Sequence, residues 1–281
     1  MQAGNRRDDP FLVLLGCAAG LHAAAVRNII AITRREFAAY FDSPLAYFAV
    51  PVYVLLVGGF ALWFDDLFSA GVATMRGVLF WNALFLVLFV PAITMRLFSD
   101  EYRTGSIEIL STLPLRESEL VLGKFFAALA LVVIGIAATF GYPLTVAVLS
   151  VPENAPPGPF LLQLVNSAGL DPGEVVCGYL GLVLLGSAIA GIGTAASALT
   201  SSQIVAFLGS LLVSLFPFLL GMFLDKVPAP LVGVAQTLSL NYHFSNLARG
   251  VVDLRDVLFC ASVAALGLHV AIYALEKRRL T

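Results

Sequence analysis

Six apolar runs constrain the fold of this chain more than any other feature. Each continues for about 18 or more residues with almost no charge, which is enough for an α-helix to cross the hydrocarbon core of a bilayer. The composition agrees, because 59% of the 281 residues are hydrophobic and only 12% are charged, whereas soluble domains carry about twice that charged fraction. The sequence therefore predicts an all-α membrane protein with six transmembrane helices. The predicted spans are residues 45–64, 77–98, 120–151, 175–199, 204–224 and 257–275.

Lysine and arginine are distributed unequally between the two sets of segments that these spans separate. The richer set contains Arg27, Arg34, Arg35, Arg96, Arg103, Arg116, Lys124, Lys277, Arg278 and Arg279. The opposite set contains Arg76, Lys226, Arg249 and Arg255. Because basic residues accumulate on the cytoplasmic side, we expect a multi-pass protein of the cell membrane (inner or plasma membrane) with both termini in the cytoplasm.

The segment before the first span divides into two parts. Residues 26–41 alternate apolar and basic side chains, which predicts an amphipathic helix in the headgroup layer. Residues 1–25 carry a pair of arginines before a short apolar core, and that core is shorter than a cleavable signal normally has. We therefore expect residues 1–25 to be a poorly ordered extension and residues 26–281 to form the transmembrane domain.

Residues 91–114 begin inside the second apolar run and continue as a charged segment that is too long for a tight turn. From residue 103 to residue 113 the apolar positions recur at three-residue steps with polar residues between them, and Pro114 follows. This pattern predicts a short surface helix with one apolar face. A solvated loop helix and a docking helix both fit the pattern.

The sequence carries few of the residue groups that catalysis would require. The Gly123-Lys124 pair is followed by Phe125 instead of Ser or Thr, and no glycine stands five positions earlier, so a phosphate-binding loop is not predicted. The predicted spans contain no acidic pair and no Ser/His/Asp set, which argues against an intramembrane enzyme and an ion-coupled transporter. The three cysteines and three histidines are scattered, so no catalytic or metal site is predicted. The net charge of −2 gives no indication of a nucleic-acid partner, and none is expected.

The charged loop resembles the loop between the second and third spans of ABC-2 type permeases. The residues that carry the resemblance are Arg96, Asp100-Glu101-Tyr102-Arg103, Gly105, Glu108, Leu110, Thr112-Leu113-Pro114 and Val121-Leu-Gly123-Lys124-Phe125. The resemblance extends over about residues 26–279. It implies that the loop is a cytoplasmic coupling helix that contacts a separate ATP-hydrolysing subunit.

The resemblance also implies partners and contact residues. The chain itself would hold no cofactor, ATP and Mg²⁺ would be bound by an ABC ATPase subunit, and a second permease protomer, identical or related, would complete the assembly in the lipid bilayer. The residues expected to contact the ATPase are Asp100, Glu101, Arg103, Gly105, Glu108 and Leu110. Glu101 and Glu108 would form one acidic stripe if the helix continued through Gly105, because residues seven apart lie two turns apart on one side.

Several alternatives remain open at this level. Residues 242–244 and 248–256 resemble the gliding-motility-associated branch of the ABC-2 permeases. A copper-linked permease of nitrous-oxide reductase maturation shares the architecture, but it would be expected to carry more methionine. A membrane anchor that assembles a motility or secretion machine without moving a solute also fits. In the fourth span, the small residues of positions 186–198 suit close helix packing either inside one protomer or between subunits. The substrate is not predicted.

Overall fold

The computed structural model describes residues 10–64, 75–106, 116–149 and 171–280, with side chains of the first helix from Ala24 onward. Within these ranges all the regular structure is helical, without strands, as the sequence predicts. The helices are α1 (Pro10–Asp42), α2 (Pro44–Phe64), α3 (Arg76–Thr94), α4 (Ser99–Thr104), α5 (Glu117–Ala138), α6 (Gly141–Leu149), α7 (Pro172–Leu199), α8 (Gln203–Met222), α9 (Val232–Leu238), α10 (Leu240–Leu247) and α11 (Leu254–Leu280), with 3₁₀ turns at Leu224–Lys226 and Ala229–Leu231.

The described residues include six helical stretches that are long and apolar enough to cross a membrane, which confirms the predicted number. Their bounds are Ala46–Phe64, Arg76–Thr104, Glu117–Val146, Gly173–Leu199, Gln203–Met222 and Leu254–Arg279. Helices satisfy their own backbone hydrogen bonds, and this is why apolar runs of this length take helical form in lipid.

Helix α7 lies at the centre of the bundle, in contact with α3, α5, α8, α10 and α11. In the most apolar stretch of each span, 61% of α3, 61% of α5 and 56% of α7 is buried inside the bundle, against 22% for α2, 22% for α8 and 28% for α11. Helices α2, α8 and α11 therefore present long apolar faces to the surrounding membrane.

The small residues of α7 allow its neighbours to approach closely within this one chain. A Cβ atom built on Gly191 would lie 2.7 Å from the Cα atom of Ala264 in α11, and one built on Gly267 would lie 2.3 Å from the carbonyl oxygen of Gly191. On another side of α7, a Cβ on Gly186 would lie 2.9 Å from Val132 of α5. These contacts lie within this one chain, and packing of the same small residues between subunits stays a prediction.

The third span is not the uninterrupted helix predicted over residues 120–151. Helix α5 ends at Ala138, and a turn at residues 139–140 separates it from α6. Buried polar groups surround this break: Asn82 donates from Nδ2 to Oγ1 of Thr139 at 2.9 Å, and Tyr179 donates from its hydroxyl to the Thr139 carbonyl oxygen at 2.9 Å. The Tyr53 hydroxyl completes the network by donating to Asn82. These partners supply hydrogen bonds to the interrupted helix, which lipid cannot do.

Two short helices, α9 and α10, precede the last span. The Ser239 hydroxyl caps α10 by accepting from the Tyr242 backbone N–H at 3.0 Å. His243 on α10 contacts Asp256 at the start of α11, with Nδ1 and Oδ1 separated by 2.6 Å and both side chains buried. This pair fastens α10 to α11.

Helix α1 has one face on the bundle and one face outward. Its backbone is helical from Pro10, and residues 1–9 lie outside the described ranges. The boundary at residue 25 and the poor order of residues 1–25 stay predictions. Asn28 donates from Nδ2 to Glu119 at 3.0 Å, and Thr33 donates from its hydroxyl to the Gly123 carbonyl oxygen at 3.1 Å. Helix α1 therefore crosses the start of α5.

Candidate functional site

The charged motif of the loop forms helix α4, which is attached to the end of the second span. After α3 ends at Thr94, a four-residue turn at residues 95–98 leads into α4. Asp100 and Glu101 occupy the first turn of α4, where carboxylates interact favourably with the helix dipole. The helix ends because Gly105 takes a left-handed backbone conformation with φ of 72°, which glycine adopts at little steric cost.

A buried lysine joins α4 to two other helices. Lys124 of α5 has a side chain that is only 2% exposed, and its Nζ lies 2.7 Å from Oε1 of Glu101 and 3.2 Å from Oε2 of Glu36 in α1. The same ammonium lies 5.3 Å from the ring centroid of Phe98. We call Glu36, Glu101 and Lys124 the ion triad. A buried cation requires such partners, because its transfer from water without them is costly.

The electrostatics of the triad favour the ionised form of Glu36. Burial alone would raise the pKa of Glu36, but the charge of Lys124 and the hydrogen bond and charge of Arg35 outweigh this effect, so that the pKa lies below its usual value. Arg35 Nη2 lies 2.6 Å from Oε1 of Glu36. Oε2 of Glu101 is buried and has no hydrogen-bond partner among the described residues. Lys124 is thus the principal counter-charge of Glu101 in the described structure.

A cavity of about 220 Å³ lies beside the ion triad, between α1, α4 and α5. In addition to the triad, its lining includes Tyr40, Arg96 and Asp100. Burial raises the pKa of the Tyr40 hydroxyl, so this group stays neutral. The end of the bundle around α4 therefore carries both signs of charge at short range.

Three further helices hold α4 from its other sides. Ser197 of α7 accepts hydrogen bonds from the backbone N–H groups of Phe98 and Ser99, at 3.0 and 3.2 Å, and donates to the Met95 carbonyl oxygen at 3.1 Å. Gln203 of α8 donates to Asp100. The guanidinium of Arg278 in α11 lies 4.2 Å from the ring centroid of Tyr102. Helix α4 is therefore connected to α1, α5, α7, α8 and α11.

The structure separates the predicted contact residues into inward and outward groups. Glu101 faces the bundle with a side chain 14% exposed, whereas the side chains of Asp100 and Arg103 are 38% and 71% exposed. Glu108 and Leu110 lie outside the described residues. The predicted acidic stripe of Glu101 and Glu108 required a helix that continues through Gly105. That condition is not met, because α4 ends at Gly105 with a positive φ. ATPase contact by all six residues stays a prediction.

Sequence reasoning missed most of the groups that hold α4. Lys124 belongs to the quoted motif, yet its role as the shared partner of Glu36 and Glu101 was not predicted. The available signal was a single lysine inside an apolar run, since charged residues at membrane depth are expensive and usually have a role. The contributions of Ser197, Gln203 and Arg278 leave no comparable signal, because common polar residues near span ends need no special explanation.

Comparison with known proteins decides the family. A family model described as ABC-2 family transporter protein matches residues 18–249, which is most of the chain and includes the whole of α4. The chain belongs to the ABC-2 transporter family. Its six apolar helices agree with a multi-pass membrane permease of this family. No curated protein shows significant similarity to the chain.

Proposed function

We propose that this ABC-2 family member is the permease subunit of an ATP-driven exporter and that a separate ABC ATPase acts on it through α4. The observation that carries the proposal is the attachment of α4 to five other helices, through the ion triad, Ser197, Gln203 and Arg278. A solvated loop helix does not require such connections. A force applied to α4 would be delivered to four of the five other spans, namely those that contain α5, α7, α8 and α11.

The two faces of α4 suit two different tasks. The exposed Arg103 and Asp100 are available for contact with a partner, while the buried Glu101 transmits displacement to Lys124 and so to α5. Charge-assisted hydrogen bonds are short and directional, which makes the 2.7 Å contact a stiff connection. In this proposal Arg103 and Asp100 bind the ATPase, and Glu101 transmits the movement to the bundle. The ATPase subunit holds ATP and Mg²⁺.

The proposed orientation places α4 and both termini in the cytoplasm. The end of the bundle that carries α4 also carries Lys124 and Arg278, and Arg279 lies 2.5 Å from Glu117 there. This is the basic-rich side that the positive-inside rule assigns to the cytoplasm. An ATPase that uses cytoplasmic ATP would meet α4 on that side.

A second protomer, identical or related, completes the proposed exporter in the cell membrane. The weakly buried spans α2, α8 and α11 offer the apolar faces on which it could pack, and the substrate would cross between protomers. We also propose the gliding-motility-associated branch, since the two segments that carry this resemblance are joined by the contact between His243 and Asp256.

The proposal is tested by recovery of the ATPase with the tagged full chain from membranes of the organism that encodes it. Arg103→Glu reverses the charge of an exposed side chain of α4. We expect at least a tenfold loss of recovered ABC ATPase, because like charges at an interface cost several kcal/mol. Lys226→Glu, at the other end of the bundle, is the matched control and should recover the ATPase fully. Glu101→Gln should also recover it, because that carboxylate faces inward. Equal recovery with Arg103→Glu would contradict docking on this face.

A further inference from the structure

The outward face of α1 forms a shallow, open groove with a volume of about 700 Å³, and it combines apolar and cationic side chains. Its lining is Val26, Arg27, Ile30, Ala31, Arg34, Arg35 and Ala38. We call these seven residues the α1 groove. They follow two neighbouring rows of one helical face, since residues three and four apart lie next to each other on a helix.

The opposite face of α1 is already occupied, so the groove faces away from the bundle. Ile32 is 8% exposed and packs on Gly123, where an added Cβ would lie 2.6 Å from its Cγ2 atom. By contrast, Val26 and Ile30 are 55% and 62% exposed. Large apolar side chains exposed to this extent on one helix face indicate contact with something other than water.

The position of α1 indicates that this environment is the membrane boundary. Only Ser43 separates α1 from α2, and the first span begins at Ala46. Aromatic side chains gather at this corner, with ring centroids of Phe37 and Phe41 separated by 5.2 Å and those of Phe41 and Tyr47 by 6.0 Å. Tyrosine is enriched at the membrane–water interface, so Tyr47 indicates that this corner lies at the headgroup level of a bilayer.

The charge of the groove selects the kind of lipid. Among the residues that the structure describes, three arginines and no acidic residue line it. Arg35 is engaged by Glu36 at 2.6 Å, whereas Arg27 and Arg34 form no salt bridge among the described residues. Arg27 and Arg34 lie two helical turns apart on the same side, about 10 Å along the axis, within reach of one headgroup from either end. Guanidinium groups bind phosphate with well-matched hydrogen bonds.

We propose that the α1 groove binds an anionic phospholipid, whose phosphate is held by Arg27 and Arg34 while an acyl chain covers Val26 and Ile30. The bound lipid would fix the outward face of the helix whose inward face carries Glu36 of the ion triad. This lipid site needs only the membrane setting of the bundle and stands independently of ATPase coupling.

The test compares lipid binding to the purified full chain in mild detergent, with dioleoylphosphatidylglycerol and dioleoylphosphatidylcholine as probes and native mass spectrometry as the readout. The wild-type chain should retain the anionic lipid in clear preference to the zwitterionic one. The double variant Arg27→Gln/Arg34→Gln should lose roughly thirtyfold in apparent affinity for the anionic lipid, since each basic residue near an anionic surface contributes roughly fivefold. The matched control is Arg249→Gln/Arg255→Gln, which removes two exposed arginines from the other end and should change the affinity by less than about twofold.

Two results would overturn the proposal. The first is equal loss of anionic lipid in both double variants, which would indicate a general charge effect. The second is displacement of the lipid by free glycerol phosphate at equal concentration, which would indicate an anion site without the apolar contact. Thermal stability in zwitterionic detergent, measured on the same samples, should be the same for all three proteins, because the exchanged arginines are exposed.

Discussion

Replacement of Lys124 by methionine removes the cation of the ion triad while keeping a long, unbranched side chain. Glu36 and Glu101 then face each other without the ammonium that lies 3.2 and 2.7 Å from them. Both carboxylates are mostly buried, with side chains 18% and 14% exposed. The variant therefore leaves two carboxyl groups near the end of the bundle without their shared partner.

The expected cost follows from this geometry. Removal of one partner from a buried pair costs about 3–5 kcal/mol. Because some water reaches both carboxylates, and because Arg35 remains beside Glu36, we expect about 2–4 kcal/mol for Lys124→Met. For a chain of this size the loss corresponds to a fall in melting temperature of about 5–15 °C.

The assay is the temperature at which half of the detergent-solubilised protein is lost from the monodisperse chromatographic peak. Lys226→Met is the control, since Lys226 is exposed and lies 5.2 Å from the Phe223 ring, a contact worth less than about 1 kcal/mol. Adding Glu36→Gln and Glu101→Gln to Lys124→Met should restore at least half of the lost stability, because no buried charge is then left without a partner. An unchanged midpoint for Lys124→Met would refute the structural role of the triad.

Two further predictions concern the contacts of α7. Ser197→Ala removes the acceptor of two backbone N–H groups and should lower stability by about 1–3 kcal/mol in the same assay. The control is Ser187→Ala, whose hydroxyl donates within its own helix in the described structure, and it should cost less than about 1 kcal/mol. Equal costs for the two variants would contradict the role of Ser197. Gly191→Leu places side-chain atoms against the backbone of α11 and should cost about 1–3 kcal/mol or abolish folding, whereas Gly209→Leu, at an open position, should be tolerated. Tolerance of both leucines would show that α7 and α11 are not in close contact.

The six spans could be predicted because the signal for each lies within a single segment. An apolar run of sufficient length must become a helix in lipid whatever its neighbours do. The sequence did not predict the break at residues 139–140, although Gly141 and Pro143 follow it. Glycine and proline are tolerated inside spans when neighbouring helices supply hydrogen bonds, so their presence alone does not indicate a break. Here Asn82 and Tyr179 supply them, and their positions depend on the tertiary fold.

The candidate site could be predicted only in part, for a related reason. The motif around Glu101 drew attention to the segment that forms α4, because its residues are neighbours in sequence. The side chain of Glu101 was nevertheless expected to face a partner, and it faces Lys124. The pattern of charges along α4 does not reveal which charges are turned inward, since this depends on the approach of α1 and α5.

The most direct test of coupling through α4 is site-specific photocrosslinking in the cells that encode this chain. A benzoylphenylalanine residue at Ser106, just beyond α4, should crosslink to an ABC ATPase that mass spectrometry identifies by its phosphate-binding loop. The same residue at Lys226, at the other end of the bundle, should give no such product. An ATPase crosslink at Lys226, or none at Ser106 in a correctly inserted protein, would contradict the account.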